Sequence, residues 1–235
     1  MSKDKIKYTI CYGFIESDNP NQKNLICSRD LFSDNLFSTT TIKSIKLWFG
    51  SPPEKKDIKS LLGIQVKYIN YLTGEKKETN YQGAKIEGTD IETKELEIKE
   101  GEYLSQFNLI FREYITYIKF GTKNNVIEFG NYNKDNELSS LKELNLENNV
   151  ILNIKGFMSL NGIRCIGCDY ISHKDFFFIR TMDIFILRHR VKKNKKYIDK
   201  YSNHAEIDKL NDEMKFFLKI CSLPDTPFQK IVKYL

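Results

Sequence analysis

Hydrophobic and polar positions alternate with a period of two along most of the first 170 residues, the signature of β-strands with one buried face. Ile6, Tyr8, Ile10, Tyr12 and Phe14 open the pattern loosely, and Ser17–Asn24 is a polar loop. Leu25–Asn35 ends in a turn-prone Ser-Asp-Asn. A strand is predicted at Thr41–Gly50, stopped by Ser51-Pro52-Pro53. Asp57–Leu72 is a longer run with Ile64, Val66 and Tyr68 on one face, turned by Thr73-Gly74 so that Lys76–Gln82 runs back. Thr93–Lys99 alternates but is heavily charged, as exposed sheet edges are. Tyr103–Phe111, Tyr114–Gly121 and Asn125–Gly130 follow, separated by Arg112-Glu113 and Thr122-Lys123-Asn124. Tyr132–Asn148 is polar and reads as a long loop with one short element.

Two β-rich runs close the series, Val150–Phe157 and Ile163–Tyr170, joined by Met158-Ser159-Leu160-Asn161-Gly162. Asn-Gly between such runs is a strong hairpin signal because both residues tolerate positive φ. Loops carried on rigid strands often bind ligands, so this turn is a candidate site. Many short strands with frequent turns and no helical pattern argue an all-β sandwich, barrel or prism. Three successive groups of strand signals are compatible with a three-fold pseudo-symmetric arrangement of sheets.

The period changes after residue 173. Lys174–Arg190 places Phe178, Ile179, Met182, Phe185, Ile186 and His189 at helical spacing, although its aromatic and β-branched content also permits a strand. Asn203 followed by Glu206 reads as a capping signal. Ile207, Leu210, Met214, Phe217, Leu218 and Cys221 then mark an apolar helical stripe, ended by Ser222-Leu223-Pro224. Thr226-Pro227 starts another helix, with Phe228, Ile231 and Leu235 as its stripe. Two such helices can pack on each other and on the β domain, or form a partner-binding hairpin.

Charge sharpens this division. The chain has 37 Lys and Arg against 31 Asp and Glu, a net charge of +6. Residues 174–235 carry 14 basic and 8 acidic side chains, so residues 1–173 hold 23 of each and are neutral. The segment 188–200 has seven basic residues and one acidic. Arg188, Arg190, Lys192, Lys193, Lys195 and Lys196 are therefore candidates for docking on a protein partner with an acidic surface, such as a cytoskeletal polymer. Only Tyr197 and Tyr201 offer aromatic stacking there, which argues against nucleic acid. Five scattered cysteines, an odd number, fit reduced thiols better than a disulfide framework. The first residues show no signal-peptide pattern, and no run approaches 18 apolar residues. The expectation is a protein with no membrane span, inside the cell, cytoplasmic or cytoskeleton-associated.

Catalytic and metal chemistry find little support. Cys165 and Cys168 have redox spacing without the helix N-terminus a reactive dithiol uses, and alternation places them on opposite strand faces. A zinc site needs two more ligands, and the other Cys and His residues are scattered. His173, His189 and His204 have no nucleophile pattern nearby. Glu75, Glu78 and Glu87, like Glu95, Glu97 and Glu100, read as solvated strand faces. No Gly-rich phosphate loop is present. The expectation is a protein that is not an enzyme, with no cofactor and no metal.

An ordered set of segments carries a family resemblance. IKSIKLWFG (residues 42–50) is followed by LLGIQVKYINYLTGE (61–75) and Tyr81-Gln82-Gly83. Then come IKEGEYLSQFNLIFREYITYIKFGTKNNVIEFG (98–130) and IKGFMSLNGIRCIGCDY (154–170). Over about Ile26 to Ile171 the chain resembles a jacalin-related lectin domain. The resemblance implies a β-prism, three four-stranded antiparallel sheets around a pseudo-three-fold axis, and a sugar-binding class of function. It divides the chain into an N-terminal extension (1–25), a jacalin-like β-prism domain (26–173) and a basic, mostly helical C-terminal extension (174–235).

The resemblance also implies where a glycan would bind. In sugar-binding relatives the final turn carries a Gly, three residues and then an Asp that accepts hydrogen bonds from sugar hydroxyls. Counted from Gly162, Ile166 stands at the Asp position; counted from Ile166-Gly167, Arg164 stands there and Leu160 at the Gly. Arginine has donors only and isoleucine neither donor nor acceptor. The family's glycine-rich first loop has no clear match at Asp30–Asn35, whereas Tyr81-Gln82-Gly83 keeps its loop. The implied rim candidates are Asp34, Asn35, Tyr81, Gln82, Gly83, Asn161, Gly162 and Arg164. The missing Asp and the thiol pattern favour a non-catalytic lectin-type module acting as an interaction or scaffold subunit of an intracellular assembly. The alternative is a carbohydrate-binding lectin that recognises glycans at the prism rim loops.

Overall fold

In the computed structural model the described residues are 7–8, 12–13, 23–25, 40–52, 54–70, 75–85, 90–130, 141–145 and 148–180, with 7–8, 12–13 and 141–145 as backbone. The strands in chain order begin with β1 (Lys7–Tyr8), β2 (Tyr12–Gly13), β3 (Lys23–Asn24), β4 (Thr40–Gly50) and β5 (Ser60–Asn70). Next are β6 (Lys76–Glu78), β7 (Gln82–Gly83), β8 (Ile91–Glu97), β9 (Gln106–Phe111) and β10 (Ile115–Gly121). The last are β11 (Val126–Phe129), β12 (Leu141–Asn145), β13 (Asn149–Ser159) and β14 (Gly162–Ser172).

They form three antiparallel sheets. The first has the order β1-β14-β13-β3, with β2 also paired to β14. The second is β6-β5-β4-β8, with β7 also on β5. The third is β11-β10-β9-β12. Each sheet is thus built on a central hairpin, β13–β14, β4–β5 or β9–β10. This is the three-sheet prism that the resemblance implied, with five, four and five strands among the described residues where four each were implied, and the charged strand β8 is an edge as its alternation predicted.

One apolar core joins the sheets. Ile45, Leu47 and Phe49 of β4 and Ile64, Val66 and Tyr68 of β5 point into it at every second position. Phe107 and Leu109 of β9, Ile118 and Phe120 of β10, and Ile154, Ile166 and Cys168 of the last hairpin complete it. Each such side chain contributes about 1.5–3 kcal/mol by leaving water. Phe107 stacks on Phe120 at 5.0 Å, and Phe49 of the second sheet on Phe129 of the third at 5.2 Å. A buried polar chain ties the second sheet to the first. Tyr68 donates to Asn153 Oδ1 at 3.1 Å, Asn153 Nδ2 to Asp169 Oδ2 at 3.1 Å, and Lys155 Nζ to Asp169 Oδ1 at 2.7 Å. Every member is hydrogen-bonded, which is the condition for tolerating polar groups in such a place.

The last hairpin differs from its sequence pattern in one respect. Its connection is two residues, Leu160 and Asn161, because Ser159 and Gly162 already pair. Register shifts at Ile151/Asn153 and Phe157/Met158 bend the strands while both stay buried along most of their length. Cys165 and Cys168 are both buried in β14. Residues 173–180 are helical, with Phe176 and Ile179 buried and Phe178 exposed. They belong to a second compact unit. This settles the helix-or-strand alternative as helix for 174–180; residues 181–190 and both proposed tail helices lie outside the described residues. Among the described residues no helix is long and apolar enough to cross a membrane.

Phe120→Ala leaves a cavity where the sheets meet and is expected to cost about 3–5 kcal/mol. Urea unfolding checks this; a loss below about 1 kcal/mol would show that Phe120 does not sit in a shared core.

Candidate functional site

The loops of the three central hairpins meet. The β4–β5 loop, residues 51–59, is closed by bonds from Lys55 N to Pro52 O at 3.1 Å and Ser51 Oγ to Lys56 O at 3.0 Å. The β9–β10 loop is tight, with Arg112 N donating to Tyr114 O at 3.0 Å. In the β13–β14 turn, Asn161 N donates to Ser159 Oγ at 3.2 Å.

Side chains lock these loops to one another. Asn161 Nδ2 donates to Glu54 Oε2 at 2.6 Å. Lys55 pairs with Glu113. Arg164 donates to the Glu113 carbonyl at 3.1 Å, with its guanidinium 4.5 Å from the centre of the Tyr114 ring. Lys55 Nζ lies 5.6 Å from the same ring. Two cations on one aromatic ring are favourable, because the face of the ring carries negative charge. The hydrogen bond to Glu113 holds the Lys55 ammonium above the ordinary lysine value. Tyr114 is 3 % exposed and Arg164 7 %, so they form the floor. Glu54 is exposed and Leu160, 66 % exposed, stands at the tip of the turn.

The chemistry follows from what is left open. One Glu54 oxygen takes the Asn161 amide, and the other has no partner among the described residues. A carboxylate accepts hydrogen bonds strongly, and the amide beside it can both donate and accept. Leu160 adds an apolar contact. An acceptor, an amide and an apolar knob on a locked base are what a polyhydroxylated ring with one apolar face requires.

The residues expected from sequence divide into three groups. Asn161 and Gly162 lie in this cluster. Gly162 has φ +123°, and a Cβ there would come within 2.9 Å of the Leu61 carbonyl, so the hairpin packs directly on β5. Arg164 also lies here, buried, with its guanidinium donating to the Glu113 carbonyl beside the Tyr114 ring.

Tyr81, Gln82 and Gly83 are placed otherwise. They form and precede a short strand on β5. Gln82 is 3 % exposed. A Cβ on Gly83 would sit 2.1 Å from the Leu62 carbonyl. The Tyr81 hydroxyl donates to Ala84 O at 2.7 Å, and its ring covers Gly63 and meets Trp48 edge-on at 4.9 Å. Packing of β7 on β5 therefore accounts for this segment. Asp34 and Asn35 lie outside the described residues, as do Arg188, Arg190, Lys192, Lys193, Lys195 and Lys196. Sequence reading missed Glu54 and Lys55, which lie between two predicted strands, Glu113, read as a strand break, and Tyr114, read as the start of a strand. The available signal was the three-fold grouping of strands, which implies three equivalent hairpin loops at one end.

Comparison with known proteins places the chain. Residues 34–168 match the family model of the Jacalin-like lectin domain, more than half of the sequence. The chain belongs to the jacalin-like lectin family. Members of this family are carbohydrate-binding proteins without catalytic activity. Similar solved structures include wild-type Malaysian banana lectin at 15 % identity, covering 71 % of this chain and 99 % of that one with a TM-score of 0.49. A mannose-binding jacalin-related lectin from Ananas comosus is 12 % identical, covering 72 % of this chain and 99 % of that one with a TM-score of 0.49. A prostate-specific glycoprotein lectin is 20 % identical, covering 67 % of this chain and 96 % of that one with a TM-score of 0.45. No curated protein sequence matches the chain. In this jacalin-like chain residues 30–35, which lack the glycines of the family's first loop, fall outside the described residues, and the acid expected on the last turn is absent from it.

Burial pushes the Tyr81 phenol up to about 12. A raised folded-state value means that this group's contribution to stability is complete below its ordinary value of 10.0 and is lost as pH rises towards about 12. Ultraviolet difference titration of the native protein against Tyr81→Phe is expected to show this phenol ionising about two pH units later than in denaturant. Ionisation of Tyr81 near its ordinary value in the native protein would contradict the packed position.

Proposed function

We propose that the protein is a carbohydrate-binding lectin whose site lies where the three hairpin loops meet. The observation that carries this reading is the Glu54 carboxylate held against Asn161 at 2.6 Å. The acid missing from the β13–β14 turn is supplied by the β4–β5 loop instead. Glu54 accepts hydrogen bonds from sugar hydroxyls, Asn161 donates and accepts beside it, and Leu160 covers the apolar face of the ring. Lys55, Glu113, Arg164 and Tyr114 hold the loops in place, so little ordering is required on binding. Membership of the family supports a glycan as the ligand class. The docking-subunit reading, through Arg188 to Lys196, rests on charge in the sequence alone.

Glycan-array screening followed by calorimetry tests the reading. Saturable binding that free sugar competes away is expected, weakened about tenfold or more by Glu54→Gln and by Asn161→Ala. Both positions are exposed or half-exposed, so neither variant is expected to lower the melting temperature appreciably. Binding untouched by both variants would move the site elsewhere, and no binding to any glycan would return the docking-subunit reading to the front.

A further inference from the structure

A second cleft lies along the seam between the second and third sheets. It has a volume of about 780 Å³, within the range of ligand sites. Its floor is apolar, formed by Ile110 and the stacked pair Phe49 and Phe129. Its walls carry charges of both signs, Glu92 and Lys94 from β8, Arg112 from the β9–β10 loop and Glu128 from β11.

The strands on either side are both sheet edges, β8 of the second sheet and β11 of the third. An extended peptide adding to one of them is the obvious occupant to consider. Two features oppose it. Lys94 Nζ already donates to the Glu128 carbonyl at 2.8 Å, which occupies an acceptor that an added strand would use on β11. The charged side chains of Glu92 and Lys94 lining the cleft are of the kind that blocks strand pairing at an edge.

The remaining polar groups suit a small charged ligand. Among the described residues the Arg112 guanidinium, the Glu92 carboxylate and the Thr116 hydroxyl, all on the cleft wall, have no protein partner. Lys59 and Glu113, also on the wall, are paired with Asp90 and Lys55 and so do not compete for a ligand. An unpaired guanidinium presents a planar fork of donors that matches a carboxylate in bidentate fashion. Glu92 and Thr116 can meet hydroxyls, and the Ile110 and Phe129 floor can meet ring C–H groups.

We propose that this seam cleft is a second saccharide site, selective for sugars that carry a carboxylate, with Arg112 as the group that reads the acid. It borders the Glu54 and Asn161 cluster, which takes neutral hydroxyls, through Glu113 and Tyr114. The proposal rests on the lectin reading of the fold for the ligand class and on the seam for the location.

Methyl β-D-glucuronide and methyl β-D-glucoside differ only in the acid, and amide-shift mapping on the full chain with each is the test. The glucuronide is expected to shift the amides of Lys94, Arg112, Thr116 and Glu128. Arg112→Ala is expected to weaken that binding at least about tenfold, and Arg112→Lys to recover only part of it. Neutral-sugar binding at Asn161 stays unchanged in both variants. Arg112 is exposed in its loop, and unchanged spectra elsewhere in the variant establish an intact fold. Glucuronide shifts confined to Glu54 and Asn161, or equal affinity in Arg112→Ala, would overturn the seam site and leave the rim site standing. Saturable seam binding of a capped Thr-Val hexapeptide in place of the glucuronide would overturn it in favour of strand addition. A neutral sugar that shifts nothing at Asn161 would count against the rim reading alone.

Discussion

Three sheets share one apolar core, and no sheet in this chain buries its inner face without the other two. That constraint orders everything else. Because Leu47, Val66, Phe107, Phe120, Ile154 and Ile166 must all reach the same interior, a slip of one residue in any strand would turn its apolar set outward. Register is thereby set in all three central hairpins together. Their loops are then brought to the same place, and residues from positions 54, 113 and 161 become neighbours without any local sequence relation.

The loop cluster is best understood as a consequence of this arrangement. Arg164 and Tyr114 are buried at its base because the hairpins that carry them close on the core from two sides. Desolvating a guanidinium is costly unless its charge is met, and the Glu113 carbonyl and the Tyr114 ring meet it. With that base in place, Glu54 and Asn161 are held side by side before any ligand arrives. A site assembled from three loops can change its ligand contacts without touching the strands.

Much of the fold was legible in the sequence because its signals are local. The alternation of Ile64, Val66 and Tyr68 gives the buried face of β5, and the Glu-Lys mixture of Ile91–Glu97 gives an edge. The Asn-Gly signal located the last hairpin, although its register left a two-residue connection where a longer one was expected; pairing of Ser159 with Gly162 was the stronger demand. The loop cluster was legible only in half. Asn161 and Arg164 were named as candidates because they lie on a recognisable turn. Glu54 and Glu113 were not, since their partners are 107 and 58 residues away and local pattern carries no information about such pairs. Tyr81-Gln82-Gly83 was read as a binding loop for the same reason that it packs well: a small residue and an aromatic suit a close backbone approach as readily as a ligand.

The proposed site requires that neutral sugar be recognised by a carboxylate lent to the last hairpin by the β4–β5 loop. Isotope-edited amide mapping with methyl α-D-mannopyranoside addresses it most directly. Saturable shifts are expected at Glu54, Leu160 and Asn161, with Tyr81, Gln82 and Gly83 unmoved. Shifts at Tyr81–Gly83 with none at Glu54 would contradict it.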